Sequence, residues 1–246
     1  MNTKRRKTMS VREKKENRWG FLFSLPCILG FLFFALIPMI VSLVLSFMDY
    51  NFTTGGTFTG LSNYKTLFSG ADSYFYKSLS VTAIYVLLSV PSSLIVAFLI
   101  AMLLNTNVKG KGIFRTIFYL PTVVPVVAVA AIWMWIFNPD MGLANHILRG
   151  VHLPTSKWLS GESSVIPTLA FVNLWTTGQI MVIFLAGLQD VPRQLLEAVE
   201  IDGGGFWAKL RHVILPMMTP TIFYNAVMGI INGFQLFTPP YMMTQG

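Results

Sequence analysis

The sequence predicts an all-α integral membrane protein, and three observations carry that expectation. Of 246 residues, 54% are hydrophobic and only 11% charged, against roughly 25% charged in an ordinary soluble domain. The charges are also bunched, so that no Asp, Glu, Lys or Arg occurs between Arg18 and Asp49, Lys77 and Lys109, Arg115 and Asp140, or Glu162 and Asp190, nor after His212. Finally, runs such as FLFFALIPMIVSLVL lack the period-2 alternation of a transmembrane strand.

Each uncharged stretch can hold the ~20 apolar residues that a helix needs to cross the bilayer core. In lipid a helix is favoured because it bonds every backbone N–H and C=O within itself. Five spans are expected, near residues 20–48, 78–104, 116–137, 165–188 and 217–238, with a basic tail over 1–19 and one membrane domain over 20–246. Pro26, Pro38, Pro91, Pro121 and Pro125 fall within spans, where neighbouring groups satisfy the carbonyls a proline frees. Gly229 and Gly233 form a GxxxG pair in the fifth span, a spacing that permits close helix packing.

The net charge of +8 is explained by where the charges lie. Lys4, Arg5, Arg6, Lys7, Arg12, Lys14, Lys15 and Arg18 all precede the first span, the pattern of a cytoplasmic N-terminus. Threading from there places 14 Lys and Arg inside and 4 outside. A topogenic role accounts for this bias, and no nucleic-acid partner is expected. The first apolar run is too long for a signal-peptide core and no A-x-A site closes it, so an uncleaved first helix is expected. Cys27 is the lone cysteine. It permits no internal disulfide and reads as a small buried hydrophobe.

Between the spans, Asp49 to Lys77 reads as a folded surface loop with a turn at Gly55-Gly56 and a short helix over Leu61 to Phe68. The segment Asn105 to Gly112 is short and basic. Asn138-Pro139-Asp140 marks a turn, and Trp158 suits a membrane-interface belt.

No ionisable residue falls inside an expected span, which disfavours a proton relay and suits a pathway for a neutral hydroxylated solute. Candidate lining residues are Asn173, Trp175, Thr176, Thr177 and Gln179 in the fourth span and Asn225, Asn232 and Gln235 in the fifth. Each is equally suited to hydrogen bonding between helices. There is no GxxxxGK[ST] loop, so no ATP site or other cofactor is expected here, and any ATP must be bound by another chain. His146, His152 and His212 have no metal-ligand spacing. No GxSxG or HExxH motif supports an enzyme.

Four acids, Asp190, Glu197, Glu200 and Asp202, share the loop 190–216. Asp190 can cap a helix and Pro192 can take its first position. Leu195, Leu196 and Val199 then form one apolar face. Gly203, Gly204 and Gly205 end that helix. A second amphipathic turn carries Phe206, Leu210 and Val213, and Pro216 and Pro220 close the loop and start the next span. A hairpin lying passively on lipid would favour basic residues on its polar face. Acidic and apolar groups exposed together suit docking on a partner.

The residues Glu197-Ala198-Val199-Glu200-Ile201-Asp202-Gly203, with Leu215-Pro216, resemble the cytoplasmic "EAA" loop of ABC-importer permeases. Asn173-Leu174-Trp175, Leu188 to Pro192 and Phe237 to Gly246 are similar to its carbohydrate branch, related to the maltose and glycerol-phosphate permeases. Two departures occur: Val199 stands where a second alanine is usual, and Gly204 where alanine follows the glycine. The resemblance implies a kinked helix bundle of the type I importer kind in a bacterial or archaeal cell membrane. Glu197, Ala198, Asp202 and Gly203 would couple to a separate ABC ATPase dimer. A second homologous permease and an extracellular or periplasmic solute-binding protein would complete an importer for a sugar or polyol. The family core has six spans, so a sixth is expected beyond Gly246. A permease for another solute, such as a polyamine or phosphate, shares the loop but would carry charges in its pathway. An integral-membrane transferase would need acids or histidines facing a cavity.

Overall fold

The computed structural model describes residues 11–53, 55–106 and 109–245. Lys4, Arg5, Arg6 and Lys7 of the expected tail lie outside those residues. Contacts divide the chain between Tyr76 and Lys77 into two compact units.

In the first unit, α1 (Val11–Phe31), a π turn (Leu32–Leu36) and α2 (Ile37–Leu45) follow one another as the first span. The helix begins well upstream of residue 20, inside the basic segment. The π turn has a cause in the sequence: Pro38 offers no N–H and its ring crowds the carbonyl four residues back. The Ile37 N–H bonds to Leu32 O instead, widening the helix by one residue. No described side chain of this span is buried. Cys27 is exposed, which corrects the expectation of a buried hydrophobe: the helix surface around it is uncovered by the rest of the chain.

After the span, β1 (Met48–Asn51) and β2 (Gly55–Phe58) form an antiparallel hairpin, with Met48 opposite Phe58 and Asn51 opposite Gly55. Gly55 has φ +81°, conformational space that glycine enters freely. The expected loop therefore contains strands, which Asp, Asn and Gly do not advertise. The Asn63 side chain, at the start of α3 (Ser62–Phe68), donates to Ser46 O and Met48 O at 3.0 Å each. Its neighbour Tyr64 shares a 2.7 Å hydrogen bond with Ser46 Oγ.

The second unit holds the remaining spans. The long helix α4 (Ser73–Asn105) leads into it and continues unbroken through Pro91. The expected third span is not one straight helix: α5 (Lys111–Tyr119) and the 3-10 turn Leu120–Val123 meet α6 (Val126–Ile136) at 98°. Pro121 and Pro125 flank the break, where two backbone N–H groups are missing. The expected fourth span bends by 53° between α8 (Val165–Trp175) and α9 (Gly178–Gln189), with no proline at the break. Here hydroxyls take over: Thr176 Oγ1 donates to Asn173 O at 3.0 Å and Thr177 Oγ1 to Leu174 O at 2.8 Å. Gly178 allows the two breaks to meet, because a Cβ there would lie 2.5 Å from Phe118 O.

Beyond α10 (Arg193–Ile201), the fifth span starts early. Helix α11 (Phe206–Lys209), a π turn (Leu210–Ile214) and α12 (Leu215–Phe234) are continuous, so Pro216 does not separate loop from span. The π turn again ends two residues before a proline, with Leu215 N–H bonded to Leu210 O. A last helix, α13 (Thr238–Thr244), packs on α6 and α8.

Two apolar clusters hold this unit. One gathers Val86, Val90, Val129, Phe137, Leu169 and Met243. The other sets Ala97 and Ala101, both 0% exposed, against Met181, Phe184 and Met218. Lipid is as apolar as these side chains, so close van der Waals packing through small residues carries the association. The GxxxG pair does this on α12: Cβ atoms added at Gly233 and Gly229 would lie 2.7 Å from Val86 Cγ2 and 3.1 Å from Val90 Cγ1.

The connection from α6 to α8 contains a helix, α7 (Leu143–Gly150), beyond the turn expected at Asn138-Pro139-Asp140. Asn145, 1% exposed, donates to Pro139 O and Ser156 O and accepts from Ser156 N and Trp158 Nε1. Trp158 also packs on Phe137, with centroids 4.9 Å apart, and so locks this connection onto α6.

Candidate functional site

Midway along α4, Tyr85, Ser89 and Ser93 project at intervals of four residues from one helix face. They line a cavity of about 250 Å³ together with Asn173, Gln179, Asn225 and Asn232. With Thr176, five of the eight expected pathway residues therefore converge. The cavity is lined by amides, hydroxyls, tyrosines and aliphatic side chains, with no carboxylate, amine, guanidinium or imidazole among them. Asn225 is held by donating to Thr221 O at 2.9 Å, which orients its amide on α12.

A second cavity of about 270 Å³, reaching Pro121 and Val129, shares Tyr85, Asn173, Thr176, Gln179 and Leu236 with the first. A third, of about 610 Å³, shares Tyr85, Gly233 and Leu236. It extends to Lys77 and Glu162, so its charged groups lie at the termini of the spans. Tyr85 and Leu236 thus stand where all three spaces meet. Sequence reasoning missed Tyr85, Ser89 and Ser93 by attending to amides in the last two spans, although their i, i+4, i+8 spacing was visible.

The other three expected residues are placed elsewhere. Trp175 packs edge-on against Trp133, centroids 5.8 Å apart, and lines a separate apolar recess of about 350 Å³ with Phe171. Thr177 turns to that recess as well. Gln235 ends α12 on an exposed turn and lines neither polar cavity. Residue type alone does not fix a helix face, since a step of two residues along a helix turns a side chain through about 200°.

The second constellation is the hairpin of α10 and α11. Pro192 occupies the N-cap of α10 and Arg193 opens the helix, while Asp190 ends α9 and makes no side-chain cap. At the other end, Gly203 has φ +79°. The Gly204 N–H bonds to Val199 O at 2.8 Å and the Gly203 N–H to Glu200 O at 3.0 Å, a Schellman C-cap. Glu197, Ala198, Asp202 and Gly203 are all exposed around this turn. Leu195, Ile201, Phe206 and Trp207 are exposed beside them, so acidic and large apolar groups share one surface. Such a surface, uncovered among the described residues, is suited to burial against another protein.

Comparison with known proteins places this arrangement. Residues 93–246 match the model of the family described as "Binding-protein-dependent transport system inner membrane component". The chain belongs to that family. A probable ABC transporter permease protein of Bacillus subtilis is 42% identical to the permease described here, covering 98% of this chain and 77% of that protein. A trehalose/maltose transport system permease protein of Thermococcus litoralis is 30% identical over 94% of this chain and 79% of its own length. The crystal structure of a bacterial alginate ABC transporter, bound to a periplasmic protein carrying an alginate pentasaccharide, contains a chain that aligns with TM-score 0.76 and 25% identity. That alignment covers 95% of this permease and 81% of its counterpart. The type I kinked bundle is thus the fold of a multi-pass transport permease, and the family is one of transporters and not of enzymes.

Proposed function

We propose that this permease forms half of the membrane pathway of an importer for a sugar or related polyol. The observation that carries the reading is the cavity midway along α4, lined by Ser89, Ser93, Asn173, Gln179, Asn225 and Asn232 and free of charged groups. A neutral solute rich in hydroxyls meets donors and acceptors there. A site built for such hydrogen bonds rejects analogues that leave its buried polar groups unpaired. Relatives named for trehalose/maltose, arabinooligosaccharides and multiple sugars support the same class of cargo.

The other half of the pathway would be a second homologous permease. The exposed hairpin would seat in an ABC ATPase dimer, with Glu197, Ala198 and Asp202 at the contact and Gly203 making the turn. ATP is bound and hydrolysed on that partner, and this chain contributes no cofactor. A solute-binding protein delivers cargo from outside the cell membrane, and the N-terminus and hairpin face the cytoplasm. Closure of the ATPase dimer would rock the permeases between outward- and inward-facing states through differential contacts at the hairpin.

The test is Glu197→Lys. Uptake is expected to stop while the subunit remains in the membrane at normal abundance, and uptake at the normal rate would defeat the coupling assignment. A cysteine at position 198, with Cys27 replaced by Ser, should crosslink to the ATPase. The binding protein, purified and titrated with a sugar panel, names the cargo.

A further inference from the structure

Among the four acids of the hairpin region, Glu200 stands apart. Its carboxylate pairs with the Lys209 ammonium across the glycine turn, whereas Asp190, Glu197 and Asp202 make no ion pair among the described residues. Lys209 is the last residue of α11, directly before the π turn that leads into the fifth span. On the other flank of the turn, Gly204 lies against Val199 and Ala208, where an added Cβ would approach Val199 Cγ1 to 2.5 Å and Ala208 Cβ to 3.0 Å. The Schellman bonds close the middle. The two helices of the hairpin are therefore fastened at three points. Helix α11 continues without interruption into the membrane.

We propose that the Glu200–Lys209 ion pair is a strut that fixes the angle between α10 and the fifth span, so that displacement of α10 reaches α12 as a rigid rotation. Glu200 and Lys209 are positioning residues; Glu197 and Asp202 are left for the partner. The inference rests on the coupling role given to the hairpin above. An exposed pair contributes little to overall stability, so its effect falls on geometry more than on folding. Removing it leaves the Schellman bonds and the Val199–Gly204 contact but frees one flank, so that α10 can pivot on Gly203, where no Cβ limits the backbone. A push on α10 is then absorbed at the turn.

The experiment uses the whole importer, purified from its own membrane through a tag on this chain, in a Cys27→Ser background. Spin labels at Gln194 and Met217, both exposed, report the angle as a distance distribution, and ATP turnover reports coupling. Glu200→Gln and Lys209→Glu should each broaden the distribution and lower turnover about fivefold, the scale of one exposed pair. The exchange E200K/K209E should restore a narrow distribution and turnover within about twofold of the parent. Singles without effect, or an exchange no better than the singles, would overturn the strut. Glu197→Lys separates the two readings: it should keep the narrow distribution and lose the co-purifying ATPase. If the ATPase remains, docking through this loop fails while the distance measurement still decides the strut.

Discussion

Val199 and Gly204 share the room of a single methyl group. A Cβ on Gly204 would lie 2.5 Å from Val199 Cγ1, so the larger residue at one position requires the absence of a side chain at the other. The two departures from the loop pattern that this sequence resembles, Val199 and Gly204, are therefore neighbours in one small volume. Gly204→Ala should destabilise the hairpin by about 1–3 kcal/mol, the range for overpacking. Adding Val199→Ala should recover only part of that loss, because Val199 O at 2.9 Å and Ala208 Cβ at 3.0 Å still crowd the new atom. Thermal unfolding of the single and double variants measures the coupling, and strictly additive effects would count against a shared volume.

On α12, Gly233 meets its nearest neighbour across a helix–helix contact. The three atoms nearest a Cβ at Gly233 would all belong to Val86, with Cγ2 at 2.7 Å. Gly233→Ala should lower stability by about 1–3 kcal/mol, since a β-branched valine cannot rotate out of the way. In G233A/V86A most of that loss should return. Melting temperature in detergent is the measurement, and a double variant as unstable as the single would place the conflict elsewhere.

Asn145 uses both N–H donors and its carbonyl oxygen in four hydrogen bonds while 1% exposed. Asn145→Asp replaces a donor pair aimed at Pro139 O and Ser156 O with an acceptor, leaving those carbonyls facing negative charge. The cost should exceed that of Asn145→Ala, at several kcal/mol for an uncompensated buried charge. Limited proteolysis across residues 139–158 should accelerate in that order. Equal rates would show that the network does not hold the connection.

The long apolar helices were legible because charge is costly in lipid, so gaps between charged residues mark stretches that can form them. The hairpin was legible too, since Gly203 had to end α10. Breaks were harder. Pro121 and Pro125 announced a disturbance but not a 98° bend. At Thr176-Thr177-Gly178 no proline gave warning, and the hydroxyls that replace the lost helix bonds are as common on unbroken helices. Pathway residues were half legible: residue type selected amides, whereas membership of the cavity depends on which helix face turns inward, and the two breaks reset that phase.

That distinction leads to a test of the cavity itself. Asn173 and Asn232 line it, whereas Trp175 and Gln235 do not, although all four are polar or aromatic residues within or at the end of the same two spans. One hydrogen bond to a neutral ligand is worth about 0.5–1.5 kcal/mol, so Asn173→Ala or Asn232→Ala should slow uptake at limiting cargo by about two- to tenfold. Gln235→Ala should leave uptake unchanged. Trp175→Phe keeps a ring against Trp133 and should also transport normally, because the indole N–H faces no cargo. Initial uptake rates of the sugar identified for the binding protein, normalised to membrane abundance, decide the matter. Loss of transport in the Trp175 and Gln235 variants with none in the Asn173 and Asn232 variants would move the pathway away from Tyr85, Ser89 and Ser93.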